Sequence, residues 1–431
     1  MNQLIEEFQM IDEANNTSKS GRRGNIVMLL GAGFSIDQGY PTSDNVAKRL
    51  ASITKNDFYF ASDGTMCVGN NTEHEDNFYQ NLFLFLLELI GQYVYKVGVD
   101  NFNYEEFYDA INLSLRDKQP EFKPSFNVLN SECRKIGEKY TNDLYTYEQL
   151  LRRLPIMFNQ VIGTVIRQKG MQFPFYNNTE TFISSYPDYS NFLHYLKDQS
   201  VSNIIDVFTL NHDLFFDSFM NIHELKDVKN SKSLISDGFD DYGSEYFGVL
   251  EKNKCSYYCR LERYTGRYIT PIRLYKLHGS LDYVLCYKAK KTTKGYLALP
   301  LKYVKAKSGM LPYDLYKTTR NKMQNEYCLT DYSESFLSGT ISKTLRYTEM
   351  FYKNLFHKFD NRLKNAERLI IIGYSGKDEE INKHIIEHFN RKNSSCTIID
   401  YSPDVDLREL AAKLNAILLI GKINEQIMKV K

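Results

Sequence analysis

The stretch Asn25-Ile-Val-Met-Leu-Leu-Gly31-Ala32-Gly33-Phe34-Ser35 decides the fold. Residues 26–30 are apolar without interruption, which is how a strand covered on both faces reads. The run breaks into G-A-G-x-S, and Pro41-Thr42-Ser43-Asp44 then opens a helix with Thr42 or Ser43 as its N-cap. Strand, glycine turn and helix in this order form the opening unit of a nucleotide-binding α/β sheet. Without Cβ atoms, Gly31 and Gly33 let backbone N–H groups around Ala32 approach a pyrophosphate, and Ser35 adds a hydroxyl. Ile36 replaces the third glycine of G-x-G-x-x-G, and a glycine turn after a strand is often only a turn. Alone, the segment leaves both readings open.

Further short β-branched runs lie at 204–210, 273–277, 369–372, 397–400 and 416–420, most of them beside a segment of helical periodicity. Their length and turn-bounded ends predict an α/β fold: a Rossmann-like, mostly parallel, doubly wound sheet. A βα connection needs only a short loop, yet about 170 residues separate the first two runs. Helical spacing at 78–96, 104–116, 147–169 and 181–185 with 189–197 makes 61–194 an inserted helical subdomain. Two smaller insertions are expected, a loop-like or irregularly stranded one at 224–270 and a Lys- and Tyr-rich one at 301–345. The sheet domain is then discontinuous, assembled from 20–60, 195–300 and 345–431.

Composition narrows the function. The 54 Lys+Arg against 53 Asp+Glu leave a net charge of +1, which excludes a dominant polybasic field. Direct sequence-specific nucleic-acid binding is therefore not expected. The seven Cys contain no C-x-x-C pair, so reduced thiols are expected, with no disulfide scaffold, no zinc module and no metal. The acidic opening MNQLIEEFQMIDEANN has no basic leader region, and Glu88 interrupts the most apolar later stretch, 83–90. A cytoplasmic, membrane-free protein is the expectation. The 33 Tyr and 27 Phe, with no Trp, gather in the insertions, where either core packing or base stacking explains them.

Three more strand ends carry chemistry. The run at 204–210 ends in Thr209-Leu-Asn211-His-Asp213, which puts Asn211 and Asp213 at the carboxyl edge where α/β ligands bind. Asp213 alone would also serve as an Asx-type cap. Lys276-Leu-His278-Gly-Ser presents a histidine, the side chain most easily poised for proton transfer near neutral pH, although a lone histidine is also a common structural residue. Gly373-Tyr-Ser375-Gly-Lys-Asp378 repeats the strand–glycine–serine turn, with Ser375 offered to a phosphate or ribose. Thr397-Ile-Ile-Asp400 ends on a carboxylate that suits ribose hydroxyls or a plain strand end.

Together and in this order, G-A-G-x-S, T-x-N-x-D, L-H-G and G-Y-S-G-x-D resemble the sirtuin-like NAD-binding fold. The K-L-H-G-S and G-Y-S-x-x-D wording is most similar to bacterial sirtuin-like NAD hydrolases of anti-phage defence. The resemblance covers 20–60, 195–285 and 365–425 and not the insertions. It implies NAD as substrate. Gly31, Ala32, Gly33 and Ser35, with Thr209 beside them, would hold the pyrophosphate. Asn211 would orient water or the sugar, Asp213 would contact the carboxamide or ribose, and His278 would be the general base. Gly373 and Ser375 would close over the adenosine side, with Asp400 near the adenine ribose.

The sequence departs from protein-deacylating relatives in two ways. It lacks the two C-x-x-C pairs of their zinc module, and Gly39-Tyr40-Pro41 continues with Thr42-Ser43-Asp44. Both departures count against deacylation and favour an NAD+ glycohydrolase that releases nicotinamide and ADP-ribose in abortive infection. A deacylase, an ADP-ribosyltransferase or a non-catalytic NAD- or ADP-ribose-binding scaffold are the alternatives. Because the sheet runs almost to residue 431, control is expected from homo-oligomerisation or a separate partner. The resemblance points to a HerA-type hexameric ATPase, with an Argonaute-like protein second.

Overall fold

Strand β1, Gly24–Leu30, sends alternate side chains into two different apolar layers. Val27 and Leu29 join one core, whereas Ile26, Met28 and Leu30 join the other, and all of them are fully buried. This double burial is why the run carries no polar residue at either parity. The computed structural model describes residues 24–62, 64, 66–69, 77–114, 153–166, 186–229, 231–240, 246–252, 255–292, 295–306, 318–321, 326–330 and 350–430.

Around β1 the sheet is completed by β2 (Asn203–Thr209), β3 (Ile235–Ser236), β4 (Ile272–Lys276), β5 (Arg368–Ile372), β6 (Ser395–Asp400) and β7 (Ile417–Ile420). The strand order is β7-β6-β5-β1-β2-β4-β3, and every pairing is parallel. Each apolar run noted in the sequence is one of these strands. The seventh, β3, is a two-residue strand inside 224–270 and too short to show a period.

Helices cover both faces. On one side α6 (Met350–Lys364), α7 (Glu379–His388) and α8 (Val405–Leu414) supply Leu355, Phe359, Ile381, Ile385, Leu407 and Leu410 to the core. On the other, α5 (Ser190–Ser202) supplies Phe192, Leu193 and Leu196, and the short helix Phe215–Ser218 adds both of its phenylalanines. A fully buried side chain of this size contributes about 1.5–3 kcal/mol, so the two layers dominate the stability of the domain.

The helical insertion has its own core. There α2 (Phe78–Val97), α3 (Tyr104–Ser114) and α4 (Arg153–Ile166) bury Phe83, Leu86, Phe107, Phe158 and Ile162 together, and α1 (Ser43–Ala51), expected with the sheet domain, adds Leu50 to this core instead. Thr42 caps α1, accepting from the Asn45 N–H at 3.2 Å. Leu214 and Leu281 belong to this same cluster. The insertion is thereby packed onto the loops that follow β2 and β4. The helical spacing at 147–152 and the stretch 181–185 lie outside the described residues. No helix among the described residues is long and apolar enough to cross a membrane.

A second sheet is wholly antiparallel. Gly295–Ala306 pairs with Val284–Thr292, which pairs with Glu326–Thr330. That strand pairs in turn with Thr318–Asn321, then Tyr246–Lys252, then Cys255–Arg267. Cys255–Arg267 also pairs with Gly295–Ala306, so these strands form a closed ring, and Gly238–Asp240 extends from it. Residues 284–300, expected within the parallel-sheet domain, therefore run in this antiparallel ring. The reason is legible in Tyr287-Lys-Ala-Lys-Lys291: lysines spaced this closely do not suit a strand covered on both faces by helices.

Candidate active site

Ile399 on β6, Ile372 on β5, Leu30 on β1, Thr209 on β2 and Lys276 on β4 are paired in one continuous rung across the sheet. The next residue on each strand is Asp400, Gly373, Gly31, Leu210 or Leu277. All the motifs picked out in the sequence thus leave the sheet at one level and along one edge. The connection after β1 leads to β2 on one side, and that after β5 leads to β6 on the other. The gap between β1 and β5 is consequently the topological switch point, where open α/β sheets place their ligands.

At that point two turns touch backbone to backbone. The Gly33 N–H donates to the Gly373 carbonyl at 2.8 Å, and the Gly31 N–H donates to the Ile372 carbonyl at 3.0 Å. A Cβ on Gly31 would lie 2.5 Å from the Gly373 oxygen, and one on Gly373 would lie 2.3 Å from the Phe34 nitrogen. Gly373 also has a φ of 60°, in the left-handed region. The glycines are therefore required first to let the two turns meet. Their N–H groups are already used, whereas the Ala32 and Ser375 N–H groups have no acceptor among the described residues. Ser375 itself is exposed at the mouth of this crevice.

The first and second motifs are knitted by side chains. The Ser35 hydroxyl donates to Asp213 Oδ2 at 2.9 Å, and the Phe215 N–H donates to Asp213 Oδ1 at 2.9 Å. Asp213 is buried, and burial pushes its carboxyl above the usual carboxylate range, opposed by the Lys276 ammonium and these hydrogen bonds. Both of its oxygens are engaged, so it acts as the residue that fixes Ser35 and caps the Phe215 turn. The Asn211 amide Nδ2 donates to the Gly31 carbonyl at 2.9 Å and lies 3.5 Å from Ser35 Oγ. The Asn211 backbone N–H donates to Thr209 Oγ1 at 3.0 Å. With its nitrogen pinned to the first turn, Asn211 presents Oδ1 as the acceptor. Beneath it, the buried Lys276 ammonium donates to the Asp213 carbonyl at 2.6 Å and to Asp217 Oδ2 at 2.9 Å.

His278 stands on β4's exit, the position that matches Asn211 on β2: each is two residues past the paired Thr209 and Lys276. The chain can turn sharply after His278 because Gly279 takes a φ of 84°. The Leu281 N–H donates to the His212 carbonyl at 3.0 Å and locks the two loops together. The His212 and His278 rings lie 6.2 Å apart. His278 Nε2 is 3.6 Å from Asp378 Oδ2, an ion pair when the ring is protonated.

Asp378, the last residue of G-Y-S-G-x-D, joins the candidate site although no role was expected of it from the sequence. Its Oδ1 caps α7 by accepting from the Ile381 N–H at 3.1 Å, while Oδ2 faces the histidine. The capping pattern Asp378-Glu-Glu before an apolar helix was the available signal. Asp400 is placed at the same edge two strands from β1, with Oδ1 accepting from the Ser402 N–H at 2.8 Å. Its partial burial raises its carboxyl affinity for a proton.

The aromatics near the site pack on one another. Phe34 meets Tyr189, Phe192, Phe215 and Phe219 with centroids 5.2–6.3 Å apart, and the Tyr189 hydroxyl donates to the Phe34 carbonyl. This buried cluster is the floor beneath Gly31–Ser35, and for these residues core packing is the explanation.

No family model matches the chain, and no curated protein matches it. Among solved structures, one from work on the mechanism and regulation of Sir2 enzymes aligns over 98% of this chain and 94% of that one. Identity in that alignment is 10% and the TM-score is 0.33, values at which the similarity carries no argument. The parallel strand order and the shared rung stand on the geometry itself: this is a doubly wound α/β sheet whose four polar motifs meet at one edge.

Proposed function

We propose that this chain is an NAD+ glycohydrolase that cleaves NAD to nicotinamide and ADP-ribose, and that it acts as an NAD-depleting effector of anti-phage abortive infection. The observation that carries the reading is the pair Asn211 and His278, matched in height on adjacent strands beside the switch point. Asn211 has its nitrogen anchored on Gly31 and its oxygen left as an acceptor, and His278 is backed by Asp378. The motif resemblance supplies the substrate.

The chemistry suits those groups. As the glycosidic bond breaks, its electron pair passes to the pyridinium nitrogen, so nicotinamide leaves neutral and needs no acid. Positive charge develops on the ribose, and the site must present an oriented water and polar stabilisation. Asn211 Oδ1 accepts a hydrogen bond from the water. His278 takes a proton from the water or from a ribose hydroxyl, and Asp378 steadies the imidazolium so formed. The Ala32 N–H and the exposed Ser375 turn are the groups offered to the phosphates, while Gly31, Gly33 and Ser35 shape the cradle. Asp400 is available to the adenine ribose.

A freely acting NAD hydrolase would kill its own cell, so we assign control to assembly. The chain forms a homo-oligomer or joins a separate partner, a HerA-type hexameric ATPase in the first place, within the cytoplasm. Incubating the full chain with NAD, alone and with that partner, should release nicotinamide, and His278→Ala should abolish the release. Equal silence of both proteins across oligomer states and partner conditions, with NAD still bound, would make the chain a scaffold instead.

A further inference from the structure

The described residues contain a second histidine–aspartate constellation, on the outer face of the sheet. Asp360 on α6 faces His384 and His388 on α7, and one ligand atom from each lies within 4.8 Å of the others. His384 Nδ1 is 2.6 Å from Asp360 Oδ1, and His388 Nε2 is 3.4 Å from Asp360 Oδ2. We propose that Asp360, His384 and His388 bind a divalent transition-metal ion of the zinc class, which clamps α6 to α7.

The spacing meets the chemistry of such an ion. Histidines at i and i+4 share one helix face, so His384 and His388 are presented together without any loop to order. Two ligand atoms each about 2.1 Å from a tetrahedral ion stand about 3.4 Å apart, the separation of His388 and Asp360 here. The shorter His384–Asp360 contact is one that shares a proton, and the metal takes that proton's place. The outer nitrogen of His384 lies 3.7 Å from Glu380 Oε1. At that distance Glu380 makes no hydrogen bond to the ring but adds negative charge beside it, which favours a bound cation. Phe356 packs against the His384 ring at 5.1 Å and gives the group an apolar wall on one side. All three ligands are partly exposed, so an ion reaches them from solvent.

Imidazole nitrogens with one carboxylate suit zinc, copper or nickel over magnesium or calcium. The cysteine count gave no hint of this site, because it uses no thiol. The helix it clamps is the one capped by Asp378, so the ion would also hold in place the carboxylate that faces His278.

The test uses the full chain, freed of metal with a chelator and titrated with zinc chloride by calorimetry. One tight equivalent is expected. Loss of a group that only hydrogen-bonds to a ligand costs roughly 10–100-fold in metal affinity, so His388→Ala and Asp360→Asn, which remove ligands themselves, should each weaken zinc by about 100-fold. Circular dichroism and the metal-free melting temperature of the Asp360→Asn variant should match the parent, and zinc should raise the melting temperature of the parent alone. Cobalt loaded in place of zinc should show d–d bands without a thiolate charge-transfer band. Zinc that binds both variants as tightly as the parent, binds only weakly and without fixed stoichiometry, or gives a thiolate band with cobalt would overturn the proposal. None of these readouts depends on NAD cleavage.

Discussion

The two halves of the edge site are built by different means. The β1 and β5 turns meet through backbone, with Gly31 and Gly33 against Gly373 and no room for a Cβ. The β2 and β4 exits meet the ligand space through side chains, Asn211 and His278, with Asp378 reaching in from the start of α7. The difference separates what each half is for. Backbone contact sets the shape of the crevice and is inseparable from stability, whereas the side-chain half carries the polar groups that face the ligand space.

His278→Ala should have the largest effect. General-base removal costs typically 10²–10⁴-fold in rate, and nicotinamide release should fall by about that factor in protein that is still folded, beyond the modest loss of stability that truncating a buried ring brings. A large loss of melting temperature would assign His278 to the fold. On the backbone half, Gly373→Ala combines a left-handed φ with a 2.3 Å approach to the Phe34 nitrogen. It should destabilise the domain by about 3 kcal/mol or more in chemical denaturation. If stability is unchanged, the turns do not meet as described.

Asp378→Asn sharpens the division within a single residue. Asparagine caps a helix as well as aspartate does, so α7 should keep its stability, while the charge facing His278 is lost. Nicotinamide release should drop by roughly tenfold with no change in denaturation midpoint. An equal drop in stability would mean that the carboxylate serves only the helix. A glycine away from the turns provides the opposite sign: Gly91 lies in the middle of α2 with open space around its missing Cβ. Gly91→Ala should stabilise the chain by up to ~1 kcal/mol, and a loss there would contradict the helix packing.

The smallest effect concerns pH. Burial raises the Asp213 carboxyl above its unfolded value, so its contribution to stability is fully present below the ordinary carboxylate range. That contribution is lost as the pH rises through the raised value. The unfolding free energy of the parent relative to Asp213→Asn should therefore decline as the pH rises above the ordinary carboxylate range. A flat difference would mean that Lys276 and the Ser35 and Phe215 hydrogen bonds cancel the desolvation.

Legibility in the sequence followed the same division. The longer parallel strands could be read because each is a short run rich in β-branched and apolar residues closed by a turn, and Asn211 and His278 could be read because they stand at such ends. Strand β3 escaped because two residues carry no period. The antiparallel ring escaped because its strands were divided between the sheet domain and the insertions, and their pairing is long-range. Asp378 stood in the sequence only as the end of G-Y-S-G-x-D, because its approach to His278 depends on where the start of α7 sits at the sheet edge. Asp360 was hidden for the same reason: its partners His384 and His388 are on another helix.

The central claim is that the edge site cleaves NAD with Asn211 as the orienting group. The most direct measurement follows the full chain and Asn211→Ala with NAD, recording nicotinamide and ADP-ribose together with NAD binding. The parent should give equal amounts of the two products, and Asn211→Ala should bind NAD without cleaving it. Cleavage by Asn211→Ala at the parental rate, or consumption of NAD that requires an acyl-lysine peptide, would contradict it.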